Sequence, residues 1–372
     1  MKTVARFSLV FLCLIPCAVS AQVVLGGQSA VEYFKSAPTQ SGRVLDEGRP
    51  TFGYHGYLFV DGYLNDHVAA LTNLKLSDNG YPVIDYFAIK LSDLTALGIN
   101  LEVGKFDLPF GNLGERRFPR NNPLFSLPLI YEYRTALPDH VPGEADILSN
   151  RGHGSGMPLL DGGMYDLGAM IFGSVGILDY AAALSNGTVS ATTYYGENQN
   201  SDLGKVLRLA VTPFTGLTVG GAYSWGAYLE ETSAPLSQTI DVNTFHQRAA
   251  EVDFSFSRGH AVFNGEGVYS TWPVPFSGGD QNLTALGFCL EGKYTLVPRL
   301  YVALRVSGLH FGNAVLQGTT QPWDYDVTEW EGGLGWFFDR DVLIKLVRRE
   351  TRIQGGSYPK DNLTVLQLVV AF

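Results

Sequence analysis

In AEVDFSFS, residues 250–257, every second side chain is apolar. Val252, Phe254 and Phe256 alternate with Glu251, Asp253 and Ser255. A period of two commits the backbone to an extended strand with one apolar and one polar face. The pattern recurs along the chain. In INLEVG, Ile99, Leu101 and Val103 oppose Asn100 and Glu102. In KVLRLAV, Leu207, Leu209 and Val211 oppose Arg208. In AVFNGEGVYS, Phe263 and Tyr269 oppose Asn264, Glu266 and Ser270. In ALGFCLEGKY, Leu286, Phe288 and Leu290 oppose Cys289, Glu291 and Lys293. In YVALRVS, Val302, Leu304 and Val306 oppose Arg305 and Ser307. No amphipathic helix of useful length interrupts the series.

Alternation alone also fits a β-sandwich with one wet face. Strand length separates the two. Sandwich strands usually run ~5–6 residues, whereas many of these run to about ten, the length that crosses a bilayer at a tilt. Their ends carry Tyr223, Trp225, Tyr269, Trp272, Tyr294, Trp336, Phe337 and Phe338, the bias expected of aromatic girdles at the two membrane interfaces. With 43 glycines, 12 % aromatic and 17 % charged residues in 372, and mean hydropathy near zero, the composition suits a barrel whose two faces cancel in any sum. The formal net charge of −10 argues against a nucleic-acid partner.

The first residues read as an export signal. Lys2 and Arg6 precede the apolar FSLVFLCLIPCAV, and Val19-Ser20-Ala21 offers a cleavage site before Gln22. The expected division is a signal peptide at 1–21, an N-terminal segment at 22–50 that holds at most a first strand, and the barrel at 51–372. Cys13 and Cys17 leave with the signal, so Cys289 remains alone and no internal disulfide is expected. No apolar run of ~18 residues follows. An exported chain of this kind is periplasmic, secreted or inserted as a barrel.

Connections alternate in length. DLTALG, SVGIL, TPFTGL, SRGH, TLVPRL and FDRDV are short. The links 112–162, 187–204, 229–244, 272–282, 312–326 and 354–362 are longer and polar. Short then long is the order of periplasmic turns and extracellular loops. Counting back from the C-terminus gives about fifteen candidate strands, and closure with both ends on one side asks for an even number, about sixteen with fourteen or eighteen open. The missing strand falls within QVVLGGQSAVEYF. The least clear segment is VIDYFAIKL, whose faces do not separate. The chain ends on LTVLQLVVAF, with Leu366, Leu368 and Val370 on the face of Phe372. That ending resembles the C-terminal assembly signal of Gram-negative outer-membrane proteins.

INLEVGKFDLPFG resembles the element of strand, Gly-Lys/Gln-Phe, two residues and Pro-Phe-Gly found in the phosphate-selective porin family. GYLNDHVAALTNLKLS is similar to that family's strand, tight turn and strand. The resemblance covers mainly residues 51–111 and the C-terminal strand, and implies an outer-membrane porin. The family's lumenal lysine run has no counterpart here, so phosphate selectivity is not carried over. On local physics, Gly104 permits a bulge that would put Lys105 and Phe106 off parity. Pro109 removes a ladder donor and Gly111 allows a sharp exit.

The link 112–162 far exceeds the ~15 residues beyond which structureless loops are usually functional or disordered. It contains the apolar PLFSLPLIYEY, so part of it should fold inward onto the barrel wall as a constriction loop. Its arginines Arg116, Arg117, Arg120, Arg134 and Arg151 are candidates for a cross-pore field, set against Glu115, Glu132, Asp139, Glu144 and Asp146. Ordinary ion pairing or a lipopolysaccharide-facing surface is the plainer reading of the same charges. The expected lumen face carries Glu102, Asp166, Glu251, Asp253, Glu266, Glu291, Glu329 and Glu331, with Arg208, Lys293, Arg305, Lys345 and Arg349 as basic counterparts. These charges could equally pair with one another in a hydrated wall.

Catalytic patterns are thin. AYSWG at 222–226 lacks the following helix that a nucleophile elbow requires. RGHGSG at 151–156 is a flexible loop, and no nucleotide fingerprint occurs. The seven histidines are scattered, so neither metal nor cofactor is expected. The sequence therefore reads as an all-β transmembrane antiparallel barrel passing small hydrophilic solutes by passive diffusion. Its expected partners are outer-membrane lipids and lipopolysaccharide, the barrel assembly machinery and its solutes, with a homotrimer open. A nonconducting adhesive or structural barrel and a barrel hydrolase are the alternatives.

Overall fold

The structure, a computed structural model, describes residues 21–36, 50–77, 81–95, 98–193, 200–231, 240–276, 279–355 and 360–372. The expected signal peptide lies outside these residues except for Ala21. The strands in chain order are β1 (Gln22–Ser36), β2 (Pro50–Asn65), β3 (Val68–Ser77), β4 (Val83–Leu91), β5 (Asn100–Asp107), β6 (Tyr165–Val175), β7 (Leu178–Ser185), β8 (Gly204–Phe214) and β9 (Leu217–Ala227). They continue as β10 (His246–Arg258), β11 (Ala261–Val274), β12 (Gln281–Val297), β13 (Leu300–Phe311), β14 (Asn313–Leu316), β15 (Thr319–Pro322), β16 (Val327–Asp339), β17 (Val342–Ile353) and β18 (Lys360–Ala371).

All but β14 and β15, which form a separate hairpin, join one closed antiparallel barrel of sixteen strands. Closure is made by β1 against β18, from Gln28 opposite Ala371 to Ser36 opposite Leu363. Gly27 and Phe372 exchange two backbone hydrogen bonds of 3.0 Å at the seam. Closure leaves no unpaired strand edge along the paired span, and in hydrocarbon every such group would cost several kcal/mol. The strand required by parity is thus β1.

The alternation sorts as read. Leu207, Leu209, Val252, Leu304 and Leu366 are exposed on the outer face, while Glu251, Asp253, Glu291 and Arg305 point inward and are buried. Short turns such as Gly176–Ile177, Gly259–His260 and Arg340–Asp341 close one rim, and long links leave the other. No helix among the described residues is long and apolar enough to cross a membrane.

Three local readings need correction. Gly104 makes no bulge: β5 runs in unbroken register against β4 and β6. Its φ of +135° instead accompanies a close approach to the Phe87 carbonyl that leaves no room for a side chain. Parity holds through it, so Phe106 turns inward and is buried, while the Lys105 ammonium donates to the Ile84 carbonyl at 2.9 Å. The bulge is in β4, where Asn73 opposes Tyr86 and Leu74 opposes Ile84. Asp85 is the extra residue, and it shares the inward side with Tyr86, which explains why VIDYFAIKL shows no clean faces. Finally, Trp272 is not a girdle residue. It lies on the parity of Glu266 and Ser270, is 1 % exposed, and packs edge-on to Trp323 at 5.8 Å. Phe337 likewise packs inward against Tyr301.

Candidate functional site

The barrel interior is organised by one loop. β5 ends at Asp107 and β6 begins at Tyr165, so residues 108–164 leave the wall between these two strands. The loop contains a 3-10 turn (Gly114–Arg117), α1 (Leu129–Glu132) and α2 (Glu144–Asn150). Its apolar residues Leu113, Leu124, Leu129, Ile130, Leu137 and Leu160 are almost fully buried, which in a barrel lumen is possible only by packing on the wall. Burying such side chains contributes roughly 1.5–3 kcal/mol each. Gly111 is needed where the loop starts: its φ is +72°, and a side chain there would collide with Tyr131 and Glu266. The Tyr131 hydroxyl donates to Glu266 at 2.6 Å.

A dense set of polar contacts fixes residues 119–126 to the wall of β12–β17. The Lys345 ammonium donates to the carbonyls of Pro119, Asn122 and Leu124 at 2.8, 3.2 and 2.7 Å. Arg305 donates to the Ser126 carbonyl at 2.7 Å and the Asn122 side-chain oxygen at 3.1 Å, and pairs with Glu291 and Glu331 at 2.8 and 3.0 Å. Glu331 in turn accepts the backbone N–H groups of Phe125 and Ser126 at 3.1 and 3.0 Å. Arg349 donates to the Ser126 hydroxyl at 3.3 Å and lies 3.7 Å from both Glu132 and Glu329. Arg305 and Lys345 are 2 % and 0 % exposed. Both face inward as expected, but they lie beneath the loop and hold its carbonyls, so they line no open passage.

The other expected wall residues divide in the same way. Glu291 bridges Arg116 at 2.9 Å to Arg305 and is covered. Glu251 and Asp253 share Arg208, at 3.3 and 2.7 Å. Glu102 accepts the Tyr86 hydroxyl, and the Lys293 ammonium stands 5.0 Å over the Tyr301 ring. Near the outer rim Asp324 accepts the N–H groups of Ala136 and Gly152 at 2.8 and 3.0 Å, tying the loop to the link that carries β14 and β15.

The five loop arginines do not form one cluster. Arg120 reaches the short-turn rim, donating to the Arg340 carbonyl at 2.7 Å. Arg151 sits at the long-loop rim over the Tyr325 ring, bonded to Pro322 and Gln321. Arg116 is engaged with Glu291. Arg117 and Arg134 line a cavity. They share a polar cavity of about 340 Å³ with Lys75, Asp85, Glu132 and Asp161, and with the rings of Tyr57 and Tyr165. A second cavity of about 520 Å³ opens toward the short-turn rim between residues 107–114 of the chain and the ends of β6–β8, where Asp179, Tyr180 and Arg208 line it.

Arg117 borders both cavities. Its guanidinium donates to both oxygens of Asp107 at 2.7 Å and to the carbonyls of Gly114 at 2.9 Å and Gly163 at 2.5 Å. It lies 4.6 Å from the Tyr165 ring centre. Burial alone would lower its pKa, but the facing Asp107 carboxylate outweighs that and holds it above the ordinary arginine value.

Both of these cavities lie along β2–β8, opposite the wall that anchors the loop. Sequence reasoning missed Lys75, Asp85, Asp161 and Tyr57. Lys75 was accessible in NLKLS, between Leu74 and Leu76; Asp85 was hidden by its bulge. Among the described residues no group of three or more His, Cys, Asp or Glu could hold a metal ion.

No protein-family profile matches the chain, and no curated protein sequence matches it. Solved structures do. The chain is similar to OmpF of Salmonella typhi in complex with daunomycin, with TM-score 0.60 and 10 % identity over 94 % of this chain and 97 % of that one. It is similar to the outer membrane channel DcaP of Acinetobacter baumannii, with TM-score 0.60 and 11 % identity over 97 % and 100 %. It is also similar to the trimer form of OmpT, an outer membrane protein of Vibrio cholerae, with TM-score 0.57 and 12 % identity over 95 % and 99 %. Phosphate-selective porins are not among these three. With its closed sixteen-strand ladder, apolar exterior and inward loop, the chain has the fold of a Gram-negative outer-membrane porin.

Proposed function

We propose that the protein is a diffusion porin that lets small hydrophilic and charged solutes cross the outer membrane without energy input. The observation that carries this reading is the pair of cavities that share Arg117 inside the closed barrel along β2–β8, one polar and one of mixed lining, with Lys75, Asp85, Arg117 and Arg134 on the wall of the polar one. Charged groups of both signs around a narrow aqueous space order water and select by size and charge. The loop 108–164 sets the width, because its latch to β12–β17 keeps it on the opposite wall. The short-turn rim then faces the periplasm and the long-loop rim the exterior.

Assembly through the Phe372 end, contact with outer-membrane lipid and lipopolysaccharide, and a homotrimer go with the same proposal. The trimer has its precedent in the similar barrel of Vibrio cholerae OmpT. A hydrolase reading finds less support. The histidine–carboxylate pairs His55–Glu32, His140–Asp139, His246–Asp202 and His310–Asp326 are dispersed over separate parts of the barrel.

The test is swelling of proteoliposomes in isotonic solutes of graded size. Swelling with small sugars and amino acids, falling as solute size rises, is the expected result. Folded protein that gives no swelling with any solute would refute the proposal.

A further inference from the structure

Among the described residues, Arg117 is the one side chain that borders both cavities. Its four polar contacts reach three different parts of the chain. Asp107 closes strand β5, Gly114 opens the 3-10 turn, and Gly163 lies where the loop returns to β6. The Tyr165 ring covers it from the first residue of β6. The guanidinium thus spans the gap between the two ends of the loop and the barrel wall, between the cavity of about 340 Å³ near the long-link rim (the upper cavity) and the cavity of about 520 Å³ toward the short-turn rim (the lower cavity).

From this placement we infer that Arg117 is the partition of the water path: its side chain sets the narrowest cross-section between the two cavities and thereby the solute size limit. The inference rests on the porin reading. A planar guanidinium held by a bidentate carboxylate and two carbonyls is rigid, so the aperture has a fixed size and is not a swinging lid. Other loop arginines do not share the task. Arg116, Arg120 and Arg151 are engaged elsewhere, and neither cavity is bordered by them.

The charge balance at the same point follows. Asp107 is partly exposed, and Arg117 neutralises it. Removing the arginine both widens the gap and leaves a carboxylate facing it, so current should rise and shift toward cations. Arg117→Lys keeps the charge but loses the fork, and should widen the gap with little change in ion preference.

The experiment is single-channel recording in potassium chloride, with reversal potentials in a salt gradient, on wild type, Arg117→Ser, Arg117→Lys and Asp107→Asn. Heat-modifiable gel migration establishes that each barrel is folded. Backbone amide exchange at Phe125 and Ser126 reports whether the loop latch is intact. The expected result is a conductance gain of about twofold or more in Arg117→Ser, a shift toward cations, a larger solute cut-off, and unchanged exchange at Phe125 and Ser126.

Should Arg117→Ser fail to fold, Asp107→Asn decides, since it removes the wall-side anchor and keeps the arginine; higher conductance is expected. A conducting wild type whose folded variants conduct identically would overturn the partition and leave the porin reading standing. A gain accompanied by fast exchange at Phe125 and Ser126 would also overturn it, because Arg117 would then be one more anchor of the loop. Silence in every folded protein would overturn the porin reading and the partition with it. A silent wild type with a conducting Arg117→Ser would overturn both the diffusion-porin reading and the size-setting aperture, because the native barrel would then be closed.

Discussion

Replacing Lys345 by alanine should release the loop latch while leaving the barrel closed. Lys345 is fully buried, and its ammonium serves three loop carbonyls, those of Pro119, Asn122 and Leu124. Truncation strands these acceptors away from water, at ~1–3 kcal/mol for each one left unpaired. It also removes the cation that faces Glu331 and Glu32, and breaking a buried charge arrangement costs ~3–5 kcal/mol. The loop recovers part of this by shifting toward the vacated space. A net local cost of about 3 kcal/mol corresponds to about a 150-fold rise in latch opening, at ~1.4 kcal/mol per factor of ten.

The readout is native-state amide exchange of Phe125 and Ser126, whose N–H groups donate to Glu331 within the latch and exchange only through local opening. Both should exchange about a hundredfold faster in Lys345→Ala, while strand amides such as those of Val206 and Val268 keep wild-type rates. Exchange within about threefold of wild type at Phe125 and Ser126 would refute the assignment of Lys345 as a principal anchor. Lys345→Met fills the volume but still strands the carbonyls, and should fall between the two.

Further outcomes follow from other parts of the barrel. Gly104→Val should abolish the heat-modifiable form, because a side chain at φ +135° collides with the Phe87 carbonyl; a normally folded fraction would contradict the close packing of β4 on β5. Trp323→Ala should destabilise the outer rim by ~3–5 kcal/mol, since the ring is fully buried against Trp272 and Phe311, and thermal melting of the folded barrel checks this. Asp202 sits between Lys205 and the Ala227 amide; burial pushes its carboxyl up, but these donors outweigh it and hold it below its ordinary value of 3.8. A lowered folded pKa means stabilisation that is present above the unfolded value and lost as pH falls. Asp202→Asn should therefore melt lower than wild type at neutral pH, and the gap should close below about pH 4. Phe372→Ala should slow barrel assembly, because the ring packs on Gly27 at the closing seam; unchanged assembly kinetics would count against that end as the assembly signal.

Local pattern was enough for the barrel and not for its interior. Leu207, Arg208 and Leu209 declare their faces without outside help, because in a strand the face is set by position alone. Parity also held the answer for Trp272, which shares a face with Ser270; grouping it with the strand-end aromatics put it on the wrong side. Asp85 could not be placed in this way, since a bulge resets the parity of β4. Arg305 and Lys345 illustrate a different limit. Their inward direction is local information, but their burial depends on residues 119–126, far away in sequence. The same holds for Arg117 and Arg120, three positions apart in one loop. One reaches Asp107 and the other the Arg340 carbonyl on the far wall.

The most direct test of the account is thiol block of single-channel current. Among the described residues Cys289 is the one cysteine, and it is buried, so wild-type current should ignore a charged methanethiosulfonate reagent. Lys75→Cys places a thiol on the upper cavity wall and should show stepwise current loss on labelling. Ser307→Cys, on the covered wall, should show none. Absence of channel steps in folded protein, or block at Ser307→Cys without block at Lys75→Cys, would contradict a water path along β2–β8.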